Sequence, residues 1–221
     1  MVTVHHLNNS RSQRILWLLE ELGVEYDITF YERNPKTKLA PKALREVHPL
    51  GKSPVLTDGG VTVAESGAII EYVLDTYDSE GAFRPERGTS EWREYTYWLH
   101  YVEGSAMLYF VLKVIFAELV RQSPLVAKPV TKPIAALFEK SFLGPELKKH
   151  TQFWEQSLQG KAFVVGDAFS GADIQMSFAL EGAEAAGLMV DLPLSAALLE
   201  RYRARDAYQR ALERGGPYAL F

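Results

Sequence analysis

Ser10 lies in the segment HHLNNSRSQR, between a short apolar-alternating run and a stretch with helical spacing. A serine there has two uses. Ser and Asn ahead of an apolar helix commonly cap it by accepting from its first free amides. The same hydroxyl, held at a helix N-terminus, also serves an anion, because helix N-termini favour negative charge. A thiol with the ordinary pKa of about 8.5 is only a few per cent ionised near neutrality. Lowering that pKa by about two units requires about 2.7 kcal/mol of preference for the anion. A hydrogen bond to a charged acceptor contributes about 1.5–3 kcal/mol, and a helix end adds up to about 1 kcal/mol. Ser10 therefore suffices to activate a thiol, and Asn9 and Ser12 stand close enough to rival it. Arg11 and Arg14 either raise the local potential or form a solvated helix face. The chain has no cysteine. Disulfides, cysteine-based metal sites and a cysteine nucleophile are excluded, so any thiol belongs to the ligand.

Glu65-Ser66 is the second candidate pair. Both residue types favour a helix start for electrostatic reasons alone. The same position also suits a ligand carrying a carboxylate and an ammonium: Ser66 would meet the first and Glu65 the second. The pair closes the stretch HPLGKSPVLTDGGVTVAES, residues 48–66. Pro54 to Thr57 and Val61 to Val63 read as strands around an Asp58-Gly59-Gly60 turn, a β-hairpin. Pro54 fits a strand's first position or an edge, and base rates alone favour a trans Ser53-Pro54 bond.

The elements that carry these residues follow from periodicity. Residues 2–7 read as a strand. Ile15, Leu16, Leu18, Leu19 and Leu22 follow at helical spacing, and Gly23 ends the helix. Tyr26 to Tyr31 alternates as a second strand, giving a right-handed βαβ unit. Pro41 to Val47 is expected as a short helix, and Glu65 to Tyr77 as a longer one. The order βαβαββα is that of a thioredoxin-like domain over residues 1–78. Residues 79–89, rich in glycine, proline and charge, read as a linker. Beyond it no strand pattern appears, and residues 90–221 are expected to form an all-α helical domain. Ser90 to Arg121 reads as one helix bent near Gly104, and the proline-bearing segment Ser123 to Pro133 interrupts the pattern. Ile134 to Leu158, Ala172 to Ala186 and Leu194 to Leu212 complete the helices. Ser170 and Asp173 have capping-box spacing, with Phe169 as a hydrophobic staple.

Other chemistries are poorly supplied. The net charge of −4 and the lack of a long basic run argue against nucleic acid. No apolar run reaches the length of about 18 residues that a membrane span needs, and the first residues lead into a strand rather than a signal peptide, so a cytoplasmic location is expected. His5 and His6 point to opposite faces of their strand. No metal-ligand spacing, phosphate-binding glycine loop or nucleophile elbow occurs, so neither a metal nor a bound cofactor is expected.

GKSPVL, with ESGAIIEYV about ten residues on and a serine at the head of the first helix, resembles the glutathione-binding half of a cytosolic glutathione transferase of the serine type. The Ser170-Asp173 motif resembles a feature of that family's helical domain, so the likeness spans nearly the whole chain. The turn has no tyrosine, unlike the tyrosine-type classes. The resemblance implies a cis Ser53-Pro54 bond, with the Ser53 backbone pairing to glutathione as an added strand. It implies Ser10 as the thiolate-stabilising residue, Glu65 and Ser66 on the γ-glutamyl end, and Lys52 toward the glycyl carboxylate. Lys36, Lys38 and Lys42 read equally as ligand partners or as charged surface. A hydrophobic electrophile would lie between the domains, against Tyr101, Ser105, Leu108 and Tyr109, with Tyr97 and Met107 nearby. An aromatic stripe at that spacing is equally a core or a dimer contact. Glutathione is then a co-substrate, and a homodimer is implied. Alternatives are glutathione-dependent disulfide reduction, a dedicated etherase or dehalogenase, and a glutathione-binding regulator or carrier with little turnover.

Overall fold

A computed structural model describes residues 1–219; the last two positions of the expected helical domain lie outside the described residues. The N-terminal part is a four-stranded sheet of β1 (Val2–Leu7), β2 (Tyr26–Tyr31), β3 (Val55–Asp58) and β4 (Val61–Ala64), in the order β2-β1-β3-β4. β2 runs parallel to β1, and the hairpin β3–β4 joins β1 antiparallel. Helices α1 (Ser12–Leu22), α2 (Leu44–Val47) and α3 (Ser66–Tyr77) complete the expected βαβαββα order. Gly23, at φ 63°, ends α1 in the left-handed conformation that glycine adopts without a Cβ penalty. α2 is shorter than expected, because Pro41 to Ala43 form turns before the helix.

No helix or strand lies between Tyr77 and Ser90, and every later element is helical. α4 (Ser90–Tyr101) and α5 (Met107–Gln122) are joined by a π-helical turn over Val102–Ala106, which provides the bend expected near Gly104. The expected interruption over residues 123–133 is confined to its first part, where Ser123 is extended after α5. After a 3₁₀ turn, Leu125–Ala127, the helix α6 (Lys128–Phe138) contains both Pro129 and Pro133. Pro129 falls in the first turn, where an amide has no intrahelical acceptor. Pro133, four residues on, removes only the bond to the Pro129 carbonyl. A second π turn, Glu139–Leu143, leads to α7 (Gly144–Ser157). α8 (Gly171–Ala185) follows. The expected single helix over 194–212 is two, α9 (Pro193–Arg203) and α10 (Asp206–Gly215), broken where Arg205 is extended.

α1 is the hinge of the packing. One face lies on the sheet, and the other is covered by α8 and α10, so Ser12 to Leu19 are all buried rather than a single stripe. Trp17 packs against Phe169, Tyr202 and Tyr208 of the helical domain. Asp173 anchors α8. It accepts from the Ser170 amide at 2.9 Å, the Ser170 hydroxyl at 3.1 Å, the Val164 amide at 3.1 Å and the Tyr202 hydroxyl at 2.7 Å. Burial pushes its carboxyl up to about 6 despite those four donors.

Candidate active site at one end of the sheet

Strand register brings the separated sequence motifs together. His5 pairs with Val55, and Val55 pairs with Ala64. The ends of β1 and β4 and the start of β3 therefore share one edge of the sheet. Ser10, Ser53 and Ser66 all lie in the segments leaving that edge. β2 ends there too, since Leu7 pairs with Tyr31, and the loop carrying Lys36 and Lys38 follows it.

The turn holding Ser10 is clipped on both sides. The Asn8 amide donates to the Tyr31 carbonyl at 3.0 Å, and Asn8 Oδ1 accepts from the Arg33 amide at 2.8 Å. Asn9 has φ 50°, and its Oδ1 accepts from the Ala219 amide at 3.0 Å. Ser10 is buried, with its Oγ 2.8 Å from Ser12 Oγ and 3.3 Å from Ser53 Oγ. It also accepts from the Ser12 amide at 3.3 Å, a long bond and therefore a weak cap. Accepting that amide still leaves the Ser10 hydroxyl able to donate its own proton. Of the rivals, Ser12 is fully buried behind Ser10, and Asn9 is exposed with its side-chain oxygen held by the C-terminal segment.

The Ser53-Pro54 peptide is cis, contrary to the base-rate expectation and in line with the resemblance. The Ser53 hydroxyl donates to the His5 carbonyl at 3.1 Å, which ties the start of β3 to β1. Lys52 is exposed, as are Lys36, Lys38 and Lys42. Glu65 does not open α3 as an ordinary first-turn acid. It precedes the helix at φ 72°, ψ 128°, one of three non-glycine residues with positive φ among the described residues. Such a conformation in a glutamate carries strain and marks positions whose geometry matters. Its side chain is exposed, while Ser66 is buried in the first turn of α3. Amides there have no intrahelical acceptor and are free for an anion.

The residues expected along the second-substrate wall divide. Ser105 and Leu108 are exposed, and Tyr109 is half-buried against His150 and Phe142. Tyr101 stands apart from them. It is buried, its hydroxyl lies 2.6 Å from His150 Nδ1, and it accepts from Trp154 Nε1 at 3.0 Å, so both ends are consumed by the core. Met107 is buried as well, whereas Tyr97 is 46% exposed. A cavity of about 380 Å³ opens elsewhere, against Glu181, Arg203, Tyr208 and Tyr218; Ser10, Ser53 and Ser66 do not line it.

Sequence reasoning missed Glu103. From the π turn it accepts from Arg11 Nε at 2.9 and 3.0 Å and from Arg14 at 2.5 Å, joining the head of α1 to the helical domain. Arg14 also donates to the Gln175 carbonyl at 2.6 Å, and Arg11 lies over the Phe178 ring at 4.9 Å. Arg11 is thus part of a domain contact rather than a solvated face. Burial opposes ionisation of Glu103, but the two guanidiniums outweigh it and hold the carboxyl below its ordinary range. His5, bonded to Tyr31 and Thr57, is a structural residue, and no cluster of three metal-ligating side chains occurs among the described residues.

A thioredoxin-like sheet domain carrying a serine at its first helix, backed by an all-helical domain, defines the class of protein. Residues 1–75 match the glutathione S-transferase N-terminal domain family, and residues 139–206 match the C-terminal domain family. The chain is 34% identical to glutathione S-transferase 3 of Schizosaccharomyces pombe over 83% of this chain and 75% of that one. It is 33% identical to glutathione S-transferase 1 of Saccharomyces cerevisiae over 82% of this chain and 80% of that one. Among solved structures, a glutathione S-transferase from Actinobacillus pleuropneumoniae superposes with a TM-score of 0.77 at 33% identity, over 97% of this chain and 93% of that one. The chain belongs to the glutathione S-transferase family.

Proposed function

We propose that this chain is a glutathione transferase that binds glutathione at the end of the sheet, stabilises its thiolate with Ser10 and directs the sulfur at a hydrophobic electrophile or peroxide. The observation that carries the reading is the position of the Ser10 hydroxyl. It sits at the head of α1, 3.3 Å from Ser53 Oγ at the cis Ser53-Pro54 step, on the edge where α3 presents its free amides. In this reading the Ser53 backbone pairs with the cysteinyl part of the tripeptide. The Ser66 amide and hydroxyl hold the γ-glutamyl carboxylate, Glu65 faces the ammonium, and Lys52 meets the glycyl end. Ser105, Leu108 and Tyr109 line the electrophile's side, and Tyr101 supports that wall from behind. The enzyme contributes a lowered thiol pKa and the alignment of two substrates.

Glutathione is a co-substrate, and no bound cofactor enters the scheme. A cytoplasmic setting belongs to the same reading; among the described residues no helix is long and apolar enough to cross a membrane. A homodimer is supported by the apolar row Val111, Ile115 and Leu119, which α5 leaves 41%, 53% and 49% exposed. Steady-state assays with glutathione and an activated aryl halide, a hydroperoxide or a mixed disulfide test the reading. Turnover of the halide or peroxide that falls at least tenfold in Ser10→Ala supports it. Turnover of the disulfide alone would transfer the assignment to disulfide reduction, and binding without turnover to a carrier.

A further inference from the structure

Behind Ser10 stand two polar groups that the scheme above leaves unused. Ser12 is fully buried, with its Oγ 2.8 Å from Ser10 Oγ and 2.9 Å from His6 Nδ1. His6 is itself buried at 3% exposure. Three elements pack on its ring: β2 through the edge of Phe30 at 5.7 Å, α1 through Ser12, and α10 through the Gly215 carbonyl. Ser10, Ser12 and His6 make a continuous line from the sheet's edge into the domain core.

Proton counting gives that line a direction for each protonation state of His6. In the neutral ring that carries its N–H on Nε2, Nδ1 is the acceptor of the Ser12 contact. Ser12 gives its single hydroxyl proton to Nδ1. It has none left for Ser10, so Ser10 donates to Ser12. Ser53 has spent its own proton on the His5 carbonyl, so it competes with Ser12 as an acceptor of the single Ser10 proton. A thiolate is one further acceptor for the same Ser10 proton. With neutral His6, Ser10 satisfies either Ser12 or the sulfur. A proton on His6 Nδ1 removes the conflict: Nδ1 donates to Ser12, Ser12 donates to Ser10, and Ser10 donates to sulfur.

Resting on the reading that Ser10 holds the thiolate, we propose that the thiol proton departs through a hydroxyl relay from Ser10 to Ser12 to His6. The S–H bond breaks and its proton binds Ser10 Oγ. The proton already on Ser10 passes to Ser12 Oγ, and that of Ser12 passes to Nδ1. A thiolate and an imidazolium result, charge is conserved, and no other reactant takes part. Burial lowers the His6 pKa, the Gly215 carbonyl opposes that effect, and no charged side chain among the described residues acts on the ring. Burial favours the neutral ring, so in this scheme His6 holds the proton only through the Ser12–Ser10 line to the thiolate and releases it once the sulfur has reacted. Ser12 and His6 touch no substrate; they are positioning residues that act through Ser10.

The test compares two ligands on the unaltered chain by histidine ¹⁵N NMR: glutathione, and S-methylglutathione, which has no thiol proton. Glutathione is expected to move His6 Nδ1 from an acceptor to a protonated nitrogen, and S-methylglutathione to leave it as an acceptor. Ultraviolet titration of bound glutathione in Ser12→Ala and His6→Phe is the second measurement. The ratio of thiolate to thiol at neutral pH should fall about tenfold, one pKa unit, with S-methylglutathione affinity kept within about twofold. An identical His6 response to both ligands overturns the relay. So does a wild-type thiolate fraction in both variants when Ser10→Ala has lost it, an outcome that leaves the Ser10 reading intact. No change in Ser10→Ala itself would instead remove the reading on which the relay rests. If either variant fails to fold, the ligand comparison on the unaltered chain decides.

Discussion

Replacing Glu103 with Gln takes one charge out of a three-residue cluster that spans the two domains. The Arg14 side chain is only 2% exposed, and its partner Glu103 is 29% exposed. Removing one member of a buried ion pair costs about 3–5 kcal/mol, because the other charge is left without compensation. Two features reduce that here. Glu103 reaches water on one side, where screening weakens the pair, and Gln keeps an oxygen that accepts from Arg11 or Arg14. The expected loss is about 2–3 kcal/mol, which for a chain of this size lowers Tm by about 5–10 °C. Denaturant unfolding of wild type and Glu103→Gln measures it. The pH dependence has a defined sign. The arginines hold the folded-state carboxyl below its ordinary range, so its stabilising contribution is present above that range and is lost as pH falls through the lowered value. The two proteins should therefore converge in stability in acid. A loss below about 0.5 kcal/mol at neutral pH, typical of a solvent-screened pair, would refute the reasoning. So would an Arg11→Ala effect that is unchanged in the Glu103→Gln background, since contacting residues should couple.

Gly171→Ala should destabilise the chain by about 1–3 kcal/mol, because an added Cβ would sit 2.8 Å from Ile70 Cγ2 and 2.9 Å from both Leu74 Cδ1 and Tyr95 Oη; urea unfolding reads this out. Asp173→Ala should cost about 3–5 kcal/mol by leaving four buried donors unpaired, a loss measurable in the same way. Glu65→Ala and Ser66→Ala should each weaken glutathione binding about tenfold or more, equivalent to about 1.4 kcal/mol, with thermal stability nearly kept for Glu65→Ala because that side chain is exposed. Calorimetric titration with glutathione separates this from a folding defect.

Local pattern carried the first domain. Leu and Ile spacing marks α1, alternation marks β1 and β2, and Asp58-Gly59-Gly60 marks the hairpin turn; each is a short-range preference that the sheet then reinforces. The helical domain was less legible where local preference and packing disagree. Pro129 and Pro133 read as breakers, yet the first helical turn absorbs one and four-residue spacing confines the damage of the other. Nothing in the polar stretch around Arg203 to Asp206 signals that α9 and α10 separate. The positions of Ser10, Ser53 and Ser66 at one end of the sheet were readable, because each is adjacent to a local motif. Glu103 was not, because its partners are Arg11, 92 residues away, and Arg14, 89 residues away. The burial of Tyr101 was not legible either, because helical spacing shows which residues share a face, not whether that face meets Trp154. The strained backbone of Glu65 also left no sequence mark, since glycine is the usual sign of positive φ and a glutamate stands there instead.

The claim that Ser10 activates a ligand thiol is tested most directly by ultraviolet titration of glutathione bound to the purified chain, with Ser10→Ala alongside. The account expects a bound thiol pKa about two units below the ordinary value of about 8.5, returned toward that value by the substitution with binding retained. A bound pKa that is unshifted, or one that is lowered and unmoved by Ser10→Ala, would contradict it.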